Sequence, residues 1–305
     1  MNAMNRESRS PGAYEPIEYW LRGNLEQNFG DFLTPLFVER LFQPIAISDR
    51  SYRLIGSVVA DFIIRDTPGA TPVHPLVFWG CGLRDEASLT PAWRASAEIL
   101  AVRGPLSQAA LGLDAHFPMG DPALLLPFLY HPAPATAFRG CTICIPHFHD
   151  RRPDHELRER AGADLLLRPN LPNTRAALLA MIDAIASADF VLSASLHGAI
   201  VAAAYGVKFA YWDNGHLDLP FKWADFAASV QMPCCFATNI ADGRMLYADV
   251  IAPRLRLPSL RPLLAAAPFP VRPEVWAKLE PSLNRTAPPH AARRLPWWRR
   301  LFRWR

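Results

Sequence analysis

The chain has no run of about twenty uninterrupted apolar residues, so no segment is expected to span a bilayer. Its first fifteen residues, MNAMNRESRSPGAYE, lack the charged, apolar, small-residue order of a secretory signal, and the expected address is the cytoplasm. Cysteine is scarce. Of five in 305 residues, Cys141 and Cys144 form a C-x-x-C inside the apolar run GCTICIPHF, with no second pair at zinc-site spacing, and Cys234 and Cys235 are adjacent. Neither a metal site nor a disulfide framework is expected, and Cys141 and Cys144 read as structural thiols of a buried strand. No internal repeat marks a solenoid. Acid is missing from Arg285 to Arg305, which holds seven arginines, so the remaining chain carries 25 basic against 28 acidic residues. That end interleaves Trp297, Trp298, Phe302 and Trp304 with arginine, a mixture suited to an anionic membrane surface, while a solvated tail is the other reading. One short basic tail on a mildly acidic body is a poor footprint for nucleic acid, which is not an expected partner.

What is present is a repeated grammar of apolar strand, glycine-containing turn and helix. PLVFWGCG runs as a strand into Gly80 and Gly82, and EILAVRGPLSQAALG as a strand, Arg103-Gly104, and a helix opened by Pro105 and closed by Gly112. Upstream, a strand is expected near Tyr19–Leu21 and a helix carrying Phe32, Leu33, Leu36, Phe37, Arg40 and Leu41. Prolines 132 and 134 interrupt the pattern. It restarts with CTICIPHF and an amphipathic helix over Ala176–Ala186. Then come a strand at Phe190–Leu192, a helix from His197 to Tyr205 ended by Gly206, and a strand at Lys208–Trp212. The chain is therefore expected to be α/β, with mostly parallel sheets and ligands beyond the carboxyl ends of the strands. The length suits two domains, over 15–135 and 136–260, with a proline-rich wrapping segment and tail over 261–305.

Several turns carry candidate chemistry. In NFGD, Asp31 is either an N-cap or an acid acting on a substrate hydroxyl, with Gly30 permitting close backbone approach. Arg103, directly after a strand, presents either a phosphate- or carboxylate-matching fork or a plain surface cation. Asp121 in GDP reads as a turn initiator. His147, His149 and Asp150 follow the strand of the second half. No further ligands complete a metal set, so His147 reads as a ligand-facing group. His197 is set in an apolar passage, but at a helix N-terminus, where an anion is favoured and its neutral form can donate a hydrogen bond or exchange a proton.

In this order, NFGD, VFWGCG, VRGP, GDPALLLP, IPHF, SLHGAIVAAAYG and FKWADF resemble the polysaccharide pyruvyl transferase family over roughly residues 15–260. No single motif is specific, whereas their order and spacing are. The resemblance implies two Rossmann-like domains facing across a cleft, similar to the GT-B arrangement. It implies phosphoenolpyruvate as donor, no cofactor, and a sugar acceptor that gains a pyruvate ketal as phosphate leaves. His197 matches the family histidine and is the expected acid/base, and Asp31 matches the acid expected to orient or deprotonate the acceptor. Arg103 matches the arginine expected to hold the donor's anionic groups. Asn28, Gly30, His147, Ser195, Gly198 and Lys222 complete the expected substrate-binding set. One departure stands out. Where many members carry arginine two residues before the histidine, this chain has Ser195, and Arg103, Lys222, His147 or the helix N-terminus would have to compensate. Two rival readings remain, a GT-B glycosyltransferase using a nucleotide sugar and a saccharide-binding partner that has lost the chemistry. A lipid-linked acceptor at the inner membrane face would suit the basic aromatic tail under any of the three.

Overall fold

The computed structural model describes residues 17–19, 25–45 and 48–283. In the first half, β1 (Glu26–Asn28) leads through a turn at Asp31–Leu33 into α1 (Thr34–Arg40). Then follow β2 (Tyr52–Arg53), α2 (Asp61–Arg65), β3 (Leu76–Cys81), α3 (Pro91–Arg94), β4 (Ala97–Val102) and α4 (Pro105–Ala110). A turn at Pro122–Leu125 runs into α5 (Leu126–Leu129). The second half holds β5 (Thr142–Ile145), α6 (Asp154–Ala161), β6 (Leu165–Leu166), β7 (Asn170–Pro172), α7 (Arg175–Ser187), β8 (Phe190–Ser193) and α8 (Leu196–Ala204). After these come β9 (Phe209–Trp212), α9 (Pro220–Ser229), β10 (Phe236–Ala237), α10 (Ile240–Leu246), α11 (Arg261–Ala265) and α12 (Pro273–Leu283).

The protein is α/β with parallel sheets. One sheet has the order β2-β3-β4, extended by parallel bridges from Ile17 to Tyr52 and from Val102 to Met119. The other has the order β10-β9-β8-β5-β6, also parallel throughout. Its central strands β5, β8 and β9 are buried along their whole length, which is why they read as unbroken apolar runs. Each Leu, Ile or Phe so buried contributes roughly 1.5–3 kcal/mol of transfer free energy, and that burial, more than helix propensity, fixes α8 on the sheet. Of the strand expected near Tyr19–Leu21, residues 20 and 21 lie outside the described residues, as does the basic end from residue 285.

The helices begin and end for identifiable reasons. Thr174 caps α7, its hydroxyl accepting the Ala177 N–H at 3.2 Å. At the end of α8, Gly206 takes φ +71°, its N–H bonding Ala203 O while Val207 N–H bonds Ala202 O. This paired closure needs a residue that tolerates the left-handed region. α8 starts one residue earlier than expected, at Leu196, because Ser195 holds the extended N-cap conformation.

Segments early and late in the described residues cross between the halves. β1 pairs antiparallel with β7, Asn28 lying opposite Asn170. Phe42 bridges Val271, Gln43 N–H bonds Pro270 O, and the Trp79 indole donates to Leu263 O at 2.8 Å. One apolar cluster accordingly runs from Phe29, Phe37 and Trp79 through Leu124 to Ile143, Ile200 and Leu263. A smaller one, including Val59, Phe78 and Ile99, covers the other face of the first sheet.

Candidate active site

The chain beyond β8 is turned by Ser193, whose hydroxyl donates to Ser195 O at 2.6 Å and accepts the Ser195 N–H at 3.2 Å. α8 then lies so close to the sheet that a Cβ at Gly198 would stand 2.5 Å from Ser193 Oγ and 2.8 Å from Ile145 Cδ1. Any side chain at Gly198 would push the helix off β5 and β8. Ser195 occupies the N-cap, buried, with no side-chain capping bond. His197 stands in the first turn of α8, with 11% of its side chain exposed.

The space around His197 is made by segments distant in sequence. A Cβ at Gly30 would come within 2.0 Å of His197 Nδ1, so the glycine of NFGD leaves room for an imidazole. On the other side, Nε2 lies 3.7 Å from Oδ2 of the fully buried Asp121. That separation exceeds a hydrogen bond, and both atoms are buried without a hydrogen-bond partner. Asp121 Oδ1 caps the following turn by accepting the Ala123 N–H at 2.9 Å, so the turn role accounts for one of its oxygens and not the other.

Asp31 opens the turn beside this pair but does not cap it. The N-cap position belongs to Gly30, which makes no side-chain bond, and Asp31 Oδ2 accepts from Asn28 Nδ2 at 2.6 Å. Burial pushes the Asp31 carboxyl above its ordinary value, only partly offset by the Asn28 bond and the charges of His197, Arg53 and Lys222. A carboxyl raised in this way holds a proton more readily than an exposed one, which suits it to acid–base exchange.

A second group lies at the ends of β5 and β9. His147, nearly buried, accepts the His149 N–H on Nδ1 at 3.2 Å, so its proton sits on Nε2, which faces Asp218 Oδ1 at 3.1 Å. Lys222, in the first turn of α9, donates to the same oxygen at 2.5 Å. Burial lowers the Lys222 ammonium below its ordinary value despite Asp218, with Arg103 and Arg84 repelling it further. Burial would raise Asp218, but the bonds from His147 and Lys222 hold its carboxyl far below the usual range.

Arg103 is placed differently from an exposed clamp. Its guanidinium is fully buried, with Nε and Nη2 each 3.2 Å from Asp225 Oδ2 and Nη1 donating to Ser57 Oγ at 2.7 Å. Asp225, on α9, also accepts the Leu106 and Ser107 N–H groups and the Ser107 hydroxyl, capping α4 from another helix. Two glycines make this possible. A Cβ at Gly82 would lie 2.2 Å from Arg103 Nη2, and one at Gly104 2.2 Å from Asp225 O. The motifs WGCG, VRGP and FKWADF therefore meet in one ion-paired strut.

The structure thus brings Asn28, Gly30, Asp31 and His197 together, and His147 with Lys222. Ser195 and Gly198 lie at the start of α8, and Arg103 sits beneath. Asp121, Asp218 and Asp225 were not singled out for these positions by sequence reasoning. Asp121 and Asp225 stand inside quoted motifs, whereas Asp218 carries no sequence signal. Cys144 is buried in β5, where burial pushes its thiol up to about 12, and all five cysteines are free. Among the described residues no group of three or more His, Cys, Asp or Glu side chains is placed to hold a metal ion, and no helix is long and apolar enough to cross a membrane.

The model of the polysaccharide pyruvyl transferase family matches residues 70–216. No curated protein and no solved structure matches the chain. The matched span contains Arg103, Asp121, His147, Ser195, His197 and Gly198. Asn28 to Asp31, Asp218, Lys222 and Asp225 lie outside it and reach it through the contacts described above.

Proposed function

Residues 70–216 belong to the polysaccharide pyruvyl transferase family, and from that premise we propose that the protein transfers pyruvate from phosphoenolpyruvate to a sugar residue of a polysaccharide or its lipid-linked precursor. The product is a pyruvate ketal bridging two hydroxyls, with release of phosphate. The observation carrying this reading is His197 at a helix N-terminus, flanked by the buried Asp121 and by Asp31 with its raised carboxyl. We read the two parallel sheets as the faces of a GT-B-like cleft.

In this mechanism His197 protonates the enol carbon, and positive charge develops at the carbon bearing the phosphate oxygen. A first sugar hydroxyl attacks there, the C–O bond to phosphate breaks, and a second hydroxyl closes the ketal. Two hydroxyl protons are released. One restores the acid and the other leaves with phosphate. Asp31 orients a hydroxyl and accepts its proton, with Asn28 fixing the carboxylate. Asp121 stabilises the imidazolium form of His197 as a positioning residue. Lys222, His147 and the N–H groups opening α8, Gly198 among them, receive the donor's anionic groups. Ser195 supplies a hydroxyl at the same helix end, and Arg103 holds the pocket floor through Asp225.

The test is incubation with phosphoenolpyruvate and saccharide acceptors, reading phosphate release together with a new ketal methyl signal by NMR. Donor binding alone should raise the melting temperature, since a ligand at a hundred times its dissociation constant adds about 2.7 kcal/mol. Stabilisation by a nucleotide sugar instead would point to glycosyl transfer. The inactive saccharide-binding reading draws support from the burial of Arg103 and the missing arginine at Ser195. Binding of saccharide without turnover would favour it. For the basic aromatic end, deletion of residues 285–305 should weaken binding to anionic liposomes and spare turnover of soluble acceptors. Unchanged liposome binding would rule out a membrane role.

A further inference from the structure

The loop between β9 and α9, residues 213–219, carries an acid, Asp218, that covers two largely buried hydrogen-bond donors. Asp218 has 31% of its side chain exposed, whereas Lys222 and His147 beneath it have 13% and 8%. Both donors converge on a single oxygen, Oδ1, at 2.5 and 3.1 Å. This is how a protein receives a small oxyanion. Arg84 and Arg103 add positive potential, each close enough to depress the lysine. Nothing in the helix geometry requires Asp218 here. α9 begins two residues later, its N-cap Leu219 makes no side-chain bond, and that leucine is held at φ +44°, a conformation leucine rarely adopts. Gly215 supplies a second left-handed residue at φ +82°, and Gly215, His216 and Leu217 are exposed. The loop has a strained joint on one side, a glycine on the other, and its tip in solvent.

We propose that Asp218 is an internal anion occupying the phosphate subsite, and that an incoming phosphate group displaces it from Lys222 and His147 as residues 215–219 swing outward, hinged at Gly215 beyond the buried Asn214 that anchors the loop to Asp150 and Arg152. That the phosphate belongs to phosphoenolpyruvate rests on the pyruvyl-transfer reading. The exchange of one oxyanion for another on the same two donors does not. It keeps the two donors partnered whenever no phosphate is bound, since an unpaired buried ammonium is costly. It also sets a selectivity, because a neutral sugar offers no charge to replace the carboxylate. In the exchanged state the Lys222 ammonium and the Nε2–H of His147 meet phosphate oxygens, while the Asp218 carboxylate moves into water.

The experiment is calorimetric titration of inorganic phosphate into the full chain as wild type, Asp218→Asn, Asp218→Ser and Lys222→Met, with circular dichroism to establish that each is folded. Both Asp218 variants should bind phosphate about tenfold more tightly than wild type, and Lys222→Met should lose binding. Hydrogen exchange should show residues 215–219 less protected when wild type is saturated with phosphate. Equal or weaker binding in the folded Asp218 variants overturns the proposal, as does absence of phosphate binding in wild type and both Asp218 variants. Tighter phosphate binding in the Asp218 variants with no ketal from any acceptor would leave the subsite standing and remove pyruvyl transfer. Ketal formation by wild type with unchanged phosphate affinity in the Asp218 variants would do the reverse.

Discussion

Two buried acid–base pairs sit behind strand ends a short way apart, and they differ in one respect. Arg103 and Asp225 meet at 3.2 Å with their remaining groups bonded to Ser57, Leu106 and Ser107. His197 and Asp121 face each other at 3.7 Å with one polar atom of each left without a partner. A saturated pair has nothing left to offer a ligand and acts as a strut. An unsaturated buried pair is expensive to keep, and proteins retain such groups chiefly where chemistry uses them. The comparison teaches that a charged residue within a shared motif declares its role through the hydrogen bonds it has left over, which the motif itself does not display.

The largest expected effect falls on the unsaturated side. His197→Asn should lower kcat by about 10²- to 10⁴-fold, the usual share of a general acid, with little change in melting temperature. A rate within a factor of a few of wild type would mean that the unsaturated pair has no part in the chemistry. On the other side, Asp225→Ala strands a buried guanidinium and should cost about 3–5 kcal/mol in denaturant unfolding. A loss under about 1 kcal/mol, the range of exposed pairs, would mean that the strut is not one.

Two glycine substitutions sharpen the contrast more finely. Gly30→Ala drives a methyl into the His197 ring, and Gly104→Ala drives one into the Asp225 backbone. Each should destabilise by about 1–3 kcal/mol, but only Gly30→Ala should lower kcat beyond what its lost stability explains. The smallest effect on stability concerns Asp31. Because burial raises its carboxyl above the ordinary 3.8, native protein holds the proton more tightly than unfolded chain. Ionisation then opposes folding at neutral pH but not below that value. Asp31→Asn should therefore melt higher than wild type at pH 7, the gain shrinking as pH falls toward 3.8, while ketal formation is lost. A lower melting temperature at pH 7 would show that the carboxylate is stabilised where it stands.

Much of the scaffold was legible in the sequence. β3, β4, β5 and β8 are apolar runs closed by turn residues, and Thr174, Gly112 and Gly206 punctuate helices by chemistry local to them. β9 (Phe209–Trp212) and α7 (Arg175–Ser187) differ by a residue or so from the expected Lys208–Trp212 and Ala176–Ala186, as strand and helix ends do. The pairing of β1 with β7 was not legible, because three-residue strands carry no periodicity and their register is set by tertiary contact. Asp31 read as either a helix cap or an acid acting on a hydroxyl; Gly30 takes the cap position and Asp31 accepts a local bond from Asn28 instead. Arg103 read as a ligand-facing fork because its partner stands 122 residues away. Asp218 was invisible, since nothing in HLDLP distinguishes an acid covering a lysine from one in solvent.

The contacts of residues 26–43 and 79 with segments far along the chain have a consequence for the order in which the protein can be made. Asn28 to Asp31 enter their places only when β7 and the His197 helix exist to receive them, and Phe42 and Trp79 wait for Val271 and Leu263. A nascent chain emerging from the ribosome therefore exposes its apolar N-terminal segment through most of its own synthesis. The histidine pocket closes among the last events, so a prematurely terminated product cannot acquire a working one.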